Sequence, residues 1–554
     1  MNNSLFRRKN IAQAIQESQH GNGLLKTLSL RDLISFGIAA IIGAGIFSTI
    51  GLASYNGGPA VSLLFVFVAI ACMFTALCYA QFASMIPVSG SAYTYAYVSF
   101  GELFAWIIGW ALILEYAVSN MVVAISWSEY FTSMLQGFGM NWPEYLAIDP
   151  GTAKKSLDQV QIATQNGSLT ELPKKVITSA QAYQDAPELF GFKLLLDLPA
   201  GLVTLLITSL VYIGIKESRT ASNILVILKL AVIFLVIIAG AFYVKPENWS
   251  PFAPNGIEGV LSGVAAVFFA FIGFDSISTT AEECKDPQRD LPKAMLIVLV
   301  ICTLLYVVIA LVLTGMVSYK ELNVEDPLAY VFSLVELDSV AGVISVSAVI
   351  AITSALLVYQ LGQPRIWMTM SRDGLLWKRF QKIHPKYQTP SFATIITGLF
   401  VGIPALFLDL NLFVDLTSVG TFFAFILVCS GIIYLDYTGE SEKAKFKIPY
   451  INGQYLVGLL LVAALGYSFY SGDFLTHLSA KPLMGLFWLT WIFLALLSFK
   501  IKSSVIPVAG VLTNLYLMTE LGWSNWRMFI VWLIIGLVIY FLYGNKHSKL
   551  AQKS

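Results

Sequence analysis

Roughly fourteen windows of about twenty apolar residues recur along this chain, each long enough to cross a bilayer. Nothing else in the sequence restricts the fold as tightly. In hydrocarbon every backbone N–H and C=O must be satisfied internally, so such windows fold as spanning helices. They lie near 32–53, 60–86, 99–132, 196–215, 222–244, 257–280, 293–317 and 338–363, then 391–408, 411–435, 453–471, 483–500, 504–521 and 526–543. Charged residues make up only 12% of the 554, too few to solvate a soluble protein of this length. The expectation is an all-α polytopic membrane protein.

Lysine and arginine mark one set of loops. Arg7, Arg8 and Lys9 lie before the first window, Lys216 and Arg219 between the fourth and fifth, and Lys285, Arg289 and Lys293 between the sixth and seventh. The opposite short loops hold few cations, such as Lys245, Lys320 and Lys481. By the positive-inside rule both termini are expected in the cytoplasm. Residues 1–26 are polar and basic without an apolar core, which suits a tail and not a signal peptide. The long polar segment 136–195 is expected outside. Its Asn166-Gly167-Ser168 triplet fits a glycosylation acceptor but arises often by chance. Gln363–Pro390 mixes aromatics with cations, and reads either as an interfacial piece on the inner leaflet or as a plain positive loop.

Several function classes fall away. A net charge of +1 gives no reason for a nucleic-acid partner. The five cysteines show no CxxC spacing, and the four histidines lie outside the windows. No metal, cofactor or disulfide-linked accessory subunit is therefore expected. The chain lacks HExxH, GxSxG and GxxxxGK[ST] patterns, which disfavours a hydrolase and a P-loop pump. A membrane enzyme is not expected.

Two windows carry an anomaly. The first reads SFGIAAIIGAGIFSTIGL over Ser35–Leu52, with Gly43-Ala44-Gly45 at its centre. Glycine costs a helix interior about 1 kcal/mol relative to alanine. The triplet either permits close helix packing or marks a break. A break would expose amide ends, which attract an anion, and carbonyl ends, which attract a cation. The sixth window, FFAFIGFDSISTT over Phe268–Thr280, holds Gly273 and the acid Asp275. Paired interruptions five windows apart are what an inverted repeat predicts, and they point to a midplane site in a transporter.

Of the ionisable residues within the windows, three stand out: Lys229, Glu115 and Asp275. Each costs roughly 2.5–3.5 kcal/mol at bilayer depth and needs a reason to be there. Lys229 is ten residues beyond Arg219, or about 15 Å along a helix, deep for snorkelling. It either snorkels or couples its charge to a transport cycle. Glu115 and Asp275 either hydrogen-bond a neighbouring helix or face a cavity, there pairing with a substrate cation or exchanging protons.

The motifs SLRDLISFGIAAIIGAGIFSTIG, FIGFDSISTTAEECKDPQRDLPKA and IPVAGVLTNLYLM resemble the amino acid–polyamine–organocation superfamily. Within it the chain is most similar to the cationic amino acid transporter branch, in its fourteen-span form. The resemblance implies a LeuT-like 5+5 inverted repeat with broken first and sixth helices. On this frame residues 1–30 are a tail, 31–245 the first repeat with insertion 136–195, and 256–437 the second. Four added helices would occupy 450–543, with a second tail at 544–554. The resemblance also implies that the amides of Gly43, Ala44 and Gly45 take a substrate carboxylate. Carbonyls of Ile41, Phe269 and Ile272 would take its amino group, with Phe269 as aromatic gate. Glu115 and Asp275 would flank the pocket, and Lys229 would carry proton coupling. Glu282, Glu283 and Arg289 either close an inner gate with Arg31 or form a solvated loop.

The function implied is proton-coupled amino acid uptake, with cationic or broad specificity. The partners would be a free amino acid, protons and the lipid of the plasma membrane. An exchanger or a non-transporting amino acid sensor is the alternative; a channel would show one continuous pore instead of two breaks.

Overall fold

A bilayer makes hydrogen bonding within each segment compulsory, and the apolar windows accordingly fold into helices. The computed structural model describes residues 5–19, 26–43, 45–166, 172, 174–189, 191–324, 326–408, 410–472, 474–481 and 483–553. Among these, eight helical stretches are long and apolar enough to cross a membrane, and five shorter apolar helices accompany them. The stretch Ile50–Met85 is two segments in one, because Gly58, at φ +61°, and Pro59 turn the chain between Ile50–Gly57 and Val61–Met85. Leu30–Ile41 and Ile50–Gly57 together make up the first apolar segment. Counted so, the described residues hold the fourteen segments expected.

The core is formed by the longest helices. Asp338–Arg372 packs along Glu102–Gly137, which also meets Leu410–Thr438; Pro287–Met316 packs along Val61–Met85. The last apolar helix, Trp523–Ile539, is zipped to Glu102–Gly137 by reciprocal indole bonds. Trp110 Nε1 donates to the Trp532 carbonyl at 2.8 Å, and Trp532 Nε1 donates to that of Trp110 at 2.9 Å. Leu456–Tyr470 and Met484–Ile501 keep Leu459, Tyr467, Leu489 and Leu496 on the exterior, as lipid contact allows.

Both termini lie at one end of the bundle. The Arg7 carbonyl accepts from Glu102 N at 3.0 Å, and Lys9 pairs with Asp373 at 2.5 Å. From the other terminus, Tyr540 donates to Glu102 Oε1 at 3.0 Å and Lys549 N donates to the Asp373 carbonyl at 3.0 Å. At the opposite end the insertion folds into helices Pro150–Asn166 and Lys174–Asp185 and a short hairpin, Glu188–Leu189 with Phe192–Lys193. Ala153, Ala186 and Leu195 give it a small core of its own. Of the glycosylation triplet, Gly167 and Ser168 lie outside the described residues.

One segment differs from its sequence reading. Asp338–Arg372 runs past the window that ended at 363, and Gln363 to Ser371 are all buried. The segment from Gln363 therefore starts inside the bundle and not on a leaflet surface. The positive charge at Arg365 is tolerated there because Glu283 neutralises it.

Candidate functional site at the two helix breaks

The first break follows from its glycines. Leu30–Ile41 ends where Ile42 N donates to the Ile38 carbonyl, and Gly43 N turns back onto the Ile41 carbonyl at 3.0 Å. Ala44 lies outside the described residues. A π-type turn over Gly45–Thr49 then leads into Ile50–Gly57. The second break follows Val264–Phe269. The chain turns through Gly273, at φ +114°, a conformation open to glycine and costly for other residues. It resumes as the short helix Ser276–Thr279.

The two breaks touch. A Cβ added to Gly45 would stand 2.4 Å from Ala270 Cα, and one added to Gly273 would stand 2.9 Å from Ala40 Cβ. Thr49 Oγ1 reaches across to the Ala266 carbonyl at 3.1 Å. The Tyr306 hydroxyl sits between the breaks, 2.8 Å from the Ile41 carbonyl and 2.9 Å from that of Ala270. Carrying one proton, it donates to one of them at a time.

Lys229 lies in the middle of Ile215–Ala241 and is fully buried. Its ammonium donates to the carbonyls of Ala39 (3.1 Å) and Ile42, at the carbonyl end of the first half-helix. That end carries partial negative charge, so a cation is favoured there. Among the described residues Lys229 pairs with no carboxylate. The acids gather instead around the second break. Asp275, 1% exposed, accepts from Tyr116 OH at 3.3 Å, and Glu115, 2% exposed, lies near enough to interact with it electrostatically. The ionisable residues thus form two groups, a lysine on one break and a carboxylate pair beside the other.

This pairing of broken helices can be set beside known sequences. Residues 28–497 match the sequence model described as amino acid permease, and residues 505–548 match that of the C-terminus of these permeases. The chain belongs to the amino acid permease family. The permease is 37% identical to the branched-chain amino acid permease BcaP of Bacillus subtilis over the whole of both chains. It is 35% identical to the methylthioribose transporter of the same organism, over 99% of each. It is also 31% identical to the vacuolar cationic amino acid transporter 2 of Arabidopsis thaliana, over 99% of this chain and 94% of that one. These relatives are transporters.

The groups expected to hold substrate are largely occupied from within the permease. Gly43 N already donates to the Ile41 carbonyl, which is also within reach of Tyr306. The Phe269 carbonyl accepts from Ile272 N at 3.2 Å, and that of Ile272 from Tyr359 OH at 2.9 Å. A carbonyl oxygen has two lone pairs, so Phe269 and Ile272 keep one site each. Phe269 itself is buried; the neighbouring Phe268 ring stacks on Phe422.

Of the four residues expected either to close an inner gate or to form a solvated loop, the two acids find other partners. Glu283 pairs with Arg365 and Glu282 with Arg372, while Arg31 and Arg289 are exposed and take no part in either pair. Sequence reasoning missed Arg365, Arg372, Tyr306 and Tyr359. The signal for the arginines was two cations seven apart just beyond an apolar window; for the tyrosines there was none beyond a polar tip inside an apolar run.

Proposed function

We propose that the permease takes up amino acids by proton-coupled secondary active transport, with Lys229 as the coupling residue. The observation that carries this is the Lys229 ammonium seated on the carbonyl end of the first half-helix, beside the junction of the two breaks. Protonated, it adds a charge and donors that hold the half-helix to the Ile215–Ala241 helix. Deprotonated, it loses that charge, and the hold on the break weakens. A proton can thereby bias which side the breaks open to.

In this reading the substrate zwitterion lies between the breaks. Its carboxylate meets the amides of Gly43, Ala44 and Gly45, and its ammonium meets the carbonyls of Ile41, Phe269 and Ile272. Glu115 and Asp275 flank the side chain: ionised they suit a cationic substrate, protonated a neutral one, which supports cationic or broad specificity. The relatives are named for branched-chain amino acids, methylthioribose and cationic amino acids, a spread that agrees with a permissive pocket. Two five-helix repeats, 31–245 and 256–437, would rock about the site, with four added helices at 450–543. The end that bears both termini would face the cytoplasm, and the protein would sit in the plasma membrane.

The test is uptake of radiolabelled amino acid into proteoliposomes under an imposed inward proton gradient. Accumulation above the equilibrated level is expected. Saturable binding without accumulation would overturn transport in favour of a sensor. Accumulation that needs internal amino acid but no proton gradient would mark an exchanger. A thermal-shift screen over the twenty amino acids and common polyamines selects the substrate, since a ligand of the folded state raises its melting temperature by mass action.

A further inference from the structure

We infer that Arg365 and Arg372 are the cationic half of the gate at the termini-bearing end. The Asp338–Arg372 helix then carries the state of the helix breaks to that gate. The inference rests on the transport reading but is tested apart from it.

The geometry runs along one helix. Ala355, Tyr359, Gly362, Arg365 and Arg372 follow one another by four, three, three and seven residues along this one helix, in a stripe that winds partly around it. Along it the contacts come in order. Ala355 Cβ lies 2.7 Å from where a Cβ on Gly43 would stand, and Tyr359 OH holds the Ile272 carbonyl at 2.9 Å. A Cβ on Gly362 would stand 3.4 Å from Thr279 Oγ1. Then Arg365 takes Glu283 through two bonds, Nε at 2.8 Å and Nη2 at 2.5 Å. Last, Arg372 Nη1 reaches both oxygens of Glu282, at 3.0 and 2.8 Å. One helix, over about 26 Å of its length, thus touches the first break, the second break and the turn that follows it.

The turn at 281–284 is closed on all sides. Glu282 accepts from Ser89 N at 3.3 Å and its own N donates to Ser89 Oγ at 3.1 Å. The Glu283 carbonyl accepts from Thr27 N and Leu28 N, ahead of the first segment. For this end to open, Glu283 and Arg365 must part, and both are nearly fully buried. A buried pair that loses one partner leaves an uncompensated charge, so its two states are discrete and not graded. Pro364 stands between the site contacts and the gate contacts. It has no N–H to hold the Gln360 carbonyl, which makes this the weakest rung of the helix ladder.

The chain carries its own reporter. Cys284 follows Glu283 directly and is fully buried, and burial pushes its thiol up to about 12, where it is unreactive. Opening the turn would bring it to water. In the full-length protein with Cys72→Ala, Cys78→Ala, Cys302→Ala and Cys429→Ala, labelling of Cys284 by a membrane-impermeant maleimide is followed by intact mass. Arg365→Ala is expected to speed labelling about tenfold or more, because it breaks a buried pair. Arg372→Ala, at the partly exposed pair, should act in the same direction but less. The exchanged pair Glu283→Arg with Arg365→Glu should return labelling towards the slow rate. Labelling as slow in both arginine variants as in the parent would overturn the assignment. So would equal acceleration in Asp197→Ala, at the opposite end, since that would mean general loosening. Labelling reads conformation without transport: its failure removes the gate, whereas absent uptake with the expected labelling pattern removes the transport reading.

Discussion

Gly45→Ala tests whether the two breaks meet as closely as their function requires. The added methyl would stand 2.4 Å from Ala270 Cα, 2.8 Å from Ala270 Cβ and 3.0 Å from Ala270 N. Carbon atoms pack best at about 3.5–4.0 Å, so the first and sixth segments would have to part by roughly 1 Å. The obstacle is main chain, which cannot swing aside as the tip of a flexible side chain can. Overpacking of this kind costs about 1–3 kcal/mol, borne here by the one junction that holds both breaks. Displacing reacting or binding groups by about 1 Å costs on the order of a hundredfold in rate, so uptake should fall at least tenfold. Gly458→Ala is the matched control. It lies in Leu456–Tyr470, where an added Cβ meets nothing within 4 Å. Alanine there favours the helix by about 1 kcal/mol, so uptake should be unchanged. Both variants would be purified, checked for monodispersity, reconstituted at equal density and assayed for initial uptake rate. Gly45→Ala with uptake within about twofold of the parent would refute the close approach, because an overlap of this size cannot be silent.

Three further outcomes are expected. Lys229→Ala should abolish proton-driven uptake while lowering the melting temperature little, since it also removes a buried charge worth roughly 2.5–3.5 kcal/mol of insertion cost; undiminished proton-driven uptake in that variant removes the coupling role. Tyr306→Phe keeps the ring contacts with Phe65 and Phe271 but frees the Ile41 carbonyl, so substrate should bind about fivefold more tightly, one hydrogen bond of about 1 kcal/mol, by calorimetry. A weaker Kd would show that the hydroxyl supports the site and does not compete for it. Asp197→Ala should lower thermal stability by about 1–2 kcal/mol, because Asp197 caps Leu198–Ile213 through Ala200 N at 3.1 Å and accepts from Ser128 at 2.5 Å; an unchanged melting curve would show that the cap is not used.

The segments and both breaks were legible because the signals are local. Twenty apolar residues declare a spanning helix, and Gly43, Gly45 and Gly273 interrupt the apolar pattern where a bilayer tolerates interruption least. Lys229, Glu115 and Asp275 were legible as charges out of place. Arg365 and Arg372 were not, because Pro364 and the cations after it look like the end of a window and the start of a positive loop. Their acids are 82 and 90 positions away, and no local pattern links them. Tyr306 and Tyr359 were hidden for another reason. A tyrosine in an apolar helix has the same sequence appearance whether its hydroxyl holds a neighbouring carbonyl or faces a lipid headgroup.

What those hidden residues share explains how the site can close without a solute in it. Breaking a helix in lipid leaves carbonyls that no other turn of the same helix can satisfy. Four neighbouring helices each lend one donor. Lys229 serves Ala39 and Ile42, Tyr306 serves Ile41 or Ala270, Tyr359 serves Ile272, and Tyr130 serves Phe47 at 2.6 Å. A buried carbonyl left without a donor costs about 1–3 kcal/mol, so an empty site without these side chains would be strained and would grip an arriving ammonium too firmly to release it. With them in place, binding as proposed would exchange a hydroxyl for the substrate's own donor at nearly constant hydrogen-bond count. On the proposed reading the Tyr306 hydroxyl is the point where that exchange would meet least resistance, since its O–H can turn to the Ala270 carbonyl when the Ile41 carbonyl accepts from the substrate.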